Sequence, residues 1–281
     1  MKKKEKVKLI AAISITGFIA LIWIIGCIPV SEEITVYSNK IQNEAVVALI
    51  SDYHSCYYGK NASKIMKMLE KENPDVVMLA GDIFDGKKRQ KNAKNFLDTI
   101  GEAYPCYYVT GNHEFWSEEA DTMIEYVESA GITVLRGETV TTNINGNEIN
   151  VCGIDDPEVD LYDKDSMSFV SQLSDCREAC ANGRYSILLF HRPERVFNYK
   201  DYGFDLVLSG HAHGGQWRIP GILPGVYAPN QGIFPTFTSG KYKFDDTILI
   251  VSRGLAKGTT PVPRIFNHPE IVFVKIMPGA N

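Results

Sequence analysis

Five short polar motifs punctuate this chain, each beginning where an apolar, strand-like run stops. Ile50 gives way to Ser51-Asp52-Tyr53-His54, and Ala80 to Gly81-Asp82. Val109 is followed by Thr110-Gly111-Asn112-His113-Glu114, Phe190 by His191, and Leu208 by Ser209-Gly210-His211-Ala212-His213-Gly214-Gly215. Five of the six histidines lie in these motifs. In open α/β sheets, ligands collect beyond the carboxyl ends of the strands. The fold is therefore expected to align the five runs as strands whose ends converge on one site.

The intervening segments fit that expectation. Ala45–Ile50, Val76–Ala80 and Cys106–Val109 read as buried strands. Ser63–Lys71, Lys91–Glu102 and Ser117–Ala130 read as helices, the last with Ser117 as N-cap. This alternation marks an α/β class. Near residue 140 the texture changes. Val140–Ile144 and Glu148–Ile154 alternate and are joined by Asn145-Gly146, a hairpin signal. Met167–Cys180 reads as a helix, and Ile187–Phe190, Leu206–Leu208, Ile248–Ser252 and Ile271–Ile276 as further strands.

The donors gathered by the motifs are carboxylates, imidazoles and one amide. Such O/N sets suit Mn, Fe or Zn and not a thiolate site. Two such ions held close together make a bridging hydroxide at neutral pH and aim it at phosphorus. Six cysteines without a CxxC pair argue against a structural zinc site or a disulfide scaffold, and they read as buried thiols. Cys176 and Cys180 share a helix face.

The motifs D-x-H, GD, GNHE, H and GHxH, in that order across Asp52–His213, resemble the calcineurin-like metallophosphoesterases. That resemblance implies a four-layer α/β/β/α sandwich of two mixed sheets. It implies that Asp52, His54, Asp82 and His213 hold one metal, and that Asp82, Asn112, His191 and His211 hold a second, with Asp82 bridging. His113 is then the acid that meets the leaving-group oxygen, or the group that steadies the developing charge. The stretch Gly81–Gly86 lacks the arginine of the protein Ser/Thr phosphatase branch, and 281 residues leave no room for the second large domain of the 5′-nucleotidase branch. The blocks Gly210–Gln216, Ala228–Gly232, Ser252–Leu255 and Arg264–Glu270 are similar to those of a membrane-anchored branch. Some of its members cleave the pyrophosphate of UDP-2,3-diacylglucosamine. A protein that binds metal only to sense or scaffold at a membrane is the rival of another class, and the intact His113 speaks against it.

The N-terminus carries its own expectation. Five lysines precede an uncharged run, Leu9–Val30, whose 22 residues are enough to cross a ~30 Å hydrocarbon core as a helix. The expected organisation is a lysine-rich tail and transmembrane anchor over 1–30, a linker with a first short strand (Ile34–Tyr37) over 31–44, and a metallophosphoesterase domain over 45–281. The lysines stay cytoplasmic, so the domain is extracytoplasmic. A lipoprotein anchored at Cys27, within Ile24-Ile25-Gly26-Cys27, is the alternative.

Without residues 1–30 the chain keeps 24 basic and 33 acidic residues, a balance of −9. No nucleic-acid partner is expected of so acidic a body. The expected partners are the membrane and a phosphoester substrate, lipid-linked in one version. Lys87-Lys88-Arg89 and Lys91 read as a solvated loop and helix start, with a site for an acidic headgroup as the alternative. Arg253 reads equally as a substrate-phosphate contact or a structural salt bridge. His268 is given no role. The Gly/Pro-rich stretch 214–241 carries Trp217, Ile219, Ile222, Leu223, Tyr227, Ile233 and Phe234, which are expected to pack beneath the loop, with contact to lipid as the alternative.

Overall fold

The computed structural model describes residues 3–86, 90–219, 221–257 and 264–279. The cluster Lys87-Lys88-Arg89 lies outside them. Helix α1 covers Lys3–Ile25 and leads within four residues into β1, Val30–Ser38. Among the described residues no helix is long and apolar enough to cross a membrane, so the expected transmembrane span is not found there. Strand β1 is longer than the Ile34–Tyr37 segment expected, because it pairs in parallel with the C-terminal strand along nine residues, from Val30 opposite Glu270 to Ser38 opposite Pro278.

The first half then alternates. Strand β2 (Ala45–Ile50) is followed by α2 (Ser63–Glu72), β3 (Val76–Ala80), α3 (Lys91–Ala103) and β4 (Cys106–Val109). Helix α3 buries Ala93, Phe96, Leu97 and Ile100, the i, i+3, i+4, i+7 stripe of one helix face. Helix α2 ends where Asn73 turns left-handed and its N–H returns to Leu69 O, just before Pro74.

The helix expected over Ser117–Ala130 is α5 (Ala120–Ser129), which starts three residues later, and a separate short α4 (Asn112–Trp116) precedes it. Ser117 closes α4 and does not cap a longer helix. Its Oγ donates back to Glu114 O and accepts from the N–H of Glu119, while Glu118 takes a left-handed φ of 59°. A two-residue β5 (Thr133–Val134) completes this half.

The second half begins with the expected hairpin, β6 (Thr139–Ile144) and β7 (Asn147–Gly153). A short α6 (Val159–Tyr162) precedes α7 (Phe169–Cys180), which is capped by the Ser168 side chain. Strands β8 (Tyr185–Leu189) and β9 (Leu206–Ser209) follow. Among its described residues the Gly/Pro-rich stretch holds a two-stranded β10–β11 pair (Tyr227–Ala228 with Gly232–Ile233). Strands β12 (Gly240–Phe244), β13 (Thr247–Val251) and β14 (Glu270–Pro278) close the chain.

Two mixed six-stranded sheets result, in the orders β1-β14-β2-β3-β4-β5 and β12-β13-β9-β8-β7-β6. Alternation along each strand divides its side chains between two layers. Val47 and Leu49 of β2 meet Ile187, Leu189, Leu206 and Leu208 between the sheets. Ala48 and Ile50 face outward onto α2, α3 and α5. Cys152, Leu188 and Val207 of the second sheet pack outward onto α7. The layers are thus helix, sheet, sheet, helix.

Most of the apolar side chains expected to pack beneath the Gly/Pro-rich stretch do not, although Phe237 does. Ile222 is 81% exposed, Ile233 71% and Phe234 69%. Tight turns project them outward: Ile222 lies in the short turn linking Ile219 to Leu223, and Phe234 has a left-handed φ of 56°.

Candidate metal centre

The motif-bearing strands end on one side of the sandwich. Sheet one supplies Asp52 and His54 after β2, Asp82 after β3, and Asn112 and His113 at the start of α4. Sheet two supplies His191 after β8, and His211 and His213 after β9. Asp52, His54, Asp82, Asn112, His191, His211 and His213 are all buried, and His113 is partly open.

Among the described residues three clusters have ligand atoms within 4.8 Å of one another: Asp52, His54 and His213; Asp82, His191 and His211; and His54, Asp85 and His113. Asp82 stands between the first two. Its Oδ2 is 3.5 Å from His54 Nε2 and 3.3 Å from His191 Nε2. His213 Nε2 is 3.7 Å from Asp52 Oδ1.

Local backbone geometry makes this convergence. Asp52, His54, Asp82, His211 and His213 all have left-handed φ, between 47° and 66°. For residues other than glycine that costs on the order of 1 kcal/mol each. Gly111 is required by contact, since a Cβ there would meet Asp82 Oδ1 at 2.2 Å. At Gly210 a Cβ would meet Asp52 Oδ2 at 2.5 Å.

Hydrogen bonds fix which nitrogen of two rings faces inward. His191 Nδ1 donates to Ala80 O at 2.7 Å, which leaves Nε2 toward Asp82. His211 Nε2 donates to Asn230 Oδ1 at 2.8 Å, which leaves Nδ1 toward the cluster, 3.1 Å from His191 Nε2. Such outer partners set the tautomer and orientation of metal-binding imidazoles.

Burial drives the His211 and His213 rings well below the ordinary histidine range, so both are neutral, as ligands must be. Burial pushes Asp82 upward, but His191, His113 and His54 outweigh it and hold the carboxylate ionised, well below its usual range. Burial likewise opposes charge on His191, yet Asp82, Asp52 and Asp156 raise it to about 10. Burial lifts Asp52 to about 6, with Asp82 adding to the rise and His191 opposing it. Asn112 Oδ1 and His213 Nδ1 are buried without a hydrogen-bond partner among the described residues. Buried acceptors left open in this way, beside the ionised Asp82 and the neutral His211 and His213 rings, fit divalent cations.

Several residues that support the site were not singled out by the sequence. Glu114 accepts the N–H groups of Asp82, Phe84 and Gly111, tying the β3 and β4 ends together. Burial, with Asp82 nearby, raises its pKa to about 7. Asp85 lies 3.9 Å from His113 Nδ1 and 4.0 Å from His54 Nδ1, and its place three residues after Asp82 was the available signal. Asp155 and Asp156, beyond β7, form a clamp. Asp155 accepts from Thr110 and Arg136, and Asp156 takes a bidentate bond from Arg192, the neighbour of His191. They follow the same strand-then-acid pattern as the other motifs.

Arg253 does not bring its guanidinium to the cluster. It pairs with Glu270 and, at 3.6 Å, with Glu32, which is the salt-bridge geometry of its two readings. His268 Nδ1 meets Ile28 O, away from the cluster.

Two packed mixed sheets with a buried Asp/His cluster at their strand ends define a metal-dependent phosphoesterase architecture, and comparison with solved structures agrees on the fold. NAD nucleotidase from Haemophilus influenzae aligns with TM-score 0.54 at 14% identity, over 76% of this chain and 46% of that one. A 5′-nucleotidase precursor from Thermus thermophilus aligns with TM-score 0.51 at 13% identity, over 76% and 50%. The calcineurin-like phosphoesterase family model matches residues 45–215. An uncharacterized metallophosphoesterase of Aquifex aeolicus is 31% identical, over 77% of this chain and 78% of its own length. One from Helicobacter pylori is 26% identical over 89% of this chain, which spans 64% of that longer protein. The chain belongs to the calcineurin-like phosphoesterase family, and it has the fold and dimetal-type site of a phosphoric ester hydrolase.

Proposed function

We propose that this protein hydrolyses a phosphodiester or pyrophosphate bond with two divalent metal ions, from a position on a membrane. The observation that carries the chemistry is Asp82 Oδ2, within 3.5 Å of a ring nitrogen from each of two metal-suited groups. Asp52, His54, Asp82 and His213 would hold one ion, and Asp82, Asn112, His191 and His211 the other. The ions supply charge neutralisation at the phosphoryl oxygens and a nucleophile at neutral pH.

The chain's own part is positioning and proton transfer. Asp82 fixes the spacing of the two groups, and its Oδ1 accepts the His113 N–H at 2.9 Å, which seats the start of α4. The His113 ring packs edge-on to His54 and tilts against Trp116, with centroids at 4.4 and 5.0 Å. Being more open than the ligands, His113 delivers the proton to the departing oxygen.

The membrane position is supported by the sequence of α1, by its exposed Leu9, Ile10, Ile13, Leu21 and Ile24, and by the exposed apolar side chains of residues 217–234. The same features favour a lipid-linked phosphoester over a soluble one. The lysines at the start of the chain, most of them in the first turns of α1, favour an extracytoplasmic domain.

The test is metal analysis of the purified full-length protein, followed by turnover of an aryl phosphodiester, an aryl monoester and a pyrophosphate. Two ions per chain and metal-dependent diester or pyrophosphate cleavage are expected, and His113→Ala should lower kcat about 10²–10⁴-fold. A loaded protein that turns over none of these substrates would falsify the catalytic reading. Release of the protein from membranes by alkaline carbonate would remove the membrane one.

A further inference from the structure

Cys152, Cys176 and Cys180 share the apolar layer between the second sheet and α7. Cys152 is fully enclosed on β7, an interior strand paired with both β6 and β8. Cys180 is the last residue of α7 and keeps 9% of its surface exposed. Their sulfurs stand 2.8 Å apart. A covalent S–S bond is about 2.05 Å long, so an approach of less than about 1 Å completes one. Cys176, one turn earlier on α7, also touches Cys152 but is turned toward backbone acceptors. Its Sγ faces the carbonyl oxygens of Gly137, Glu138 and Gly153 at 3.5–3.8 Å.

We propose that Cys152 and Cys180 are a site of reversible disulfide formation that staples β7 to α7, with Cys180 as the entry sulfur. The oxidant is a small-molecule disulfide, R–S–S–R. The Cys180 thiolate attacks one of its sulfurs and expels RS⁻, leaving a mixed disulfide on Cys180. Cys152 then loses its proton and attacks the Cys180 sulfur, which expels the second RS⁻. Two protein thiols give up two electrons and two protons, and the oxidant departs as two RSH.

The order follows from access. A helix terminus frays, whereas a strand hydrogen-bonded on both sides does not. The polarity of the pair agrees. The hydrogen bond from Cys152 draws the Cys180 thiol below its ordinary range, and contacts with Cys176 and Cys180 push Cys152 upward.

The staple would join two elements that already support the metal centre. β7 runs directly into Asp155-Asp156, and α7 carries Gln172, whose amide bonds Asp155 at both its N–H and its carboxylate. The bridge spans 28 residues, long enough for a substantial gain by constraint of the unfolded chain.

The test uses the full-length protein, treated with oxidised glutathione or with dithiothreitol. It is then denatured, alkylated, digested and mapped by mass spectrometry. An intrachain link between the Cys152 and Cys180 peptides is expected, with Cys176 recovered alkylated. The thermal midpoint of the oxidised protein should lie about 5–10 °C above that of the reduced one. Cys180→Ser should abolish both effects, while the oxidised-against-reduced comparison of the natural protein needs no variant. Recovery of both cysteines alkylated, a link through Cys176, Cys27 or Cys56, or a link without a thermal shift would each overturn the proposal.

Discussion

His211 is held by its far ring nitrogen to Asn230 Oδ1, so a loop residue outside the ligand set decides which nitrogen faces the cluster. Asn230→Ala frees the ring to rotate and to change tautomer. Metal affinity should fall about 10–100-fold, measured by competition with a chelating dye, while the thermal midpoint of the metal-free protein changes little. His191 makes a second prediction. In the metal-free protein Asp82 and its neighbours keep it protonated up to about pH 10 despite burial. A metal ion must displace that proton, so proton and metal compete. Lowering the pH from 8 to 6 should weaken metal binding, with about one proton released per chain by this ring when metal is added to an unbuffered solution. Neither effect was legible in the sequence. Asn230 sits in a Gly/Pro-rich stretch with no regular pattern, and the His191 proton depends on acids that only the fold brings near. The clustered Asp and His side chains themselves were legible, because each follows a buried strand.

At the scale of elements, the clamp after β7 gives the sharpest test. The Arg192–Asp156 pair is enclosed, with bonds of 2.6 and 2.8 Å, and Glu158 adds a third contact at 3.0 Å. Asp156→Ala leaves a buried guanidinium without its main partner. A loss of about 3–5 kcal/mol is expected, read from urea unfolding of the metal-free protein. The clamp escaped the sequence reading because its partners, Thr110 and Arg192, lie beyond the ends of strands β4 and β8 in different sheets. Elements whose burial is continuous, such as β2, β3 and β4, could be read to within a residue. Strand β1 could not be read in full, because Ser31, Glu32 and Glu33 look like linker. Their pairing partner lies some 240 residues away in β14. Strand β12 was missed for a related reason: Lys241 and Lys243 alternate with Tyr242 and Phe244 on an edge that packs on one face only.

For the molecule as a whole, metal occupancy and stability should rise together. A ligand present at about 100 times its Kd stabilises by about 2.7 kcal/mol. For a chain of this size that is a rise in thermal midpoint of about 5–10 °C on adding Mn²⁺ to chelator-treated protein, measured by scanning calorimetry. The pocket itself is drawn from both halves of the sandwich: Asp52, His54, Asp82 and Asn112 hang from one sheet, and His191, His211 and His213 from the other. Neither half alone presents a full coordination set. The protein therefore has to be nearly assembled before it can capture its ions, and early refolding steps should run at the same speed with or without them. What the ions alter is the last event, when two finished halves are riveted along their common seam.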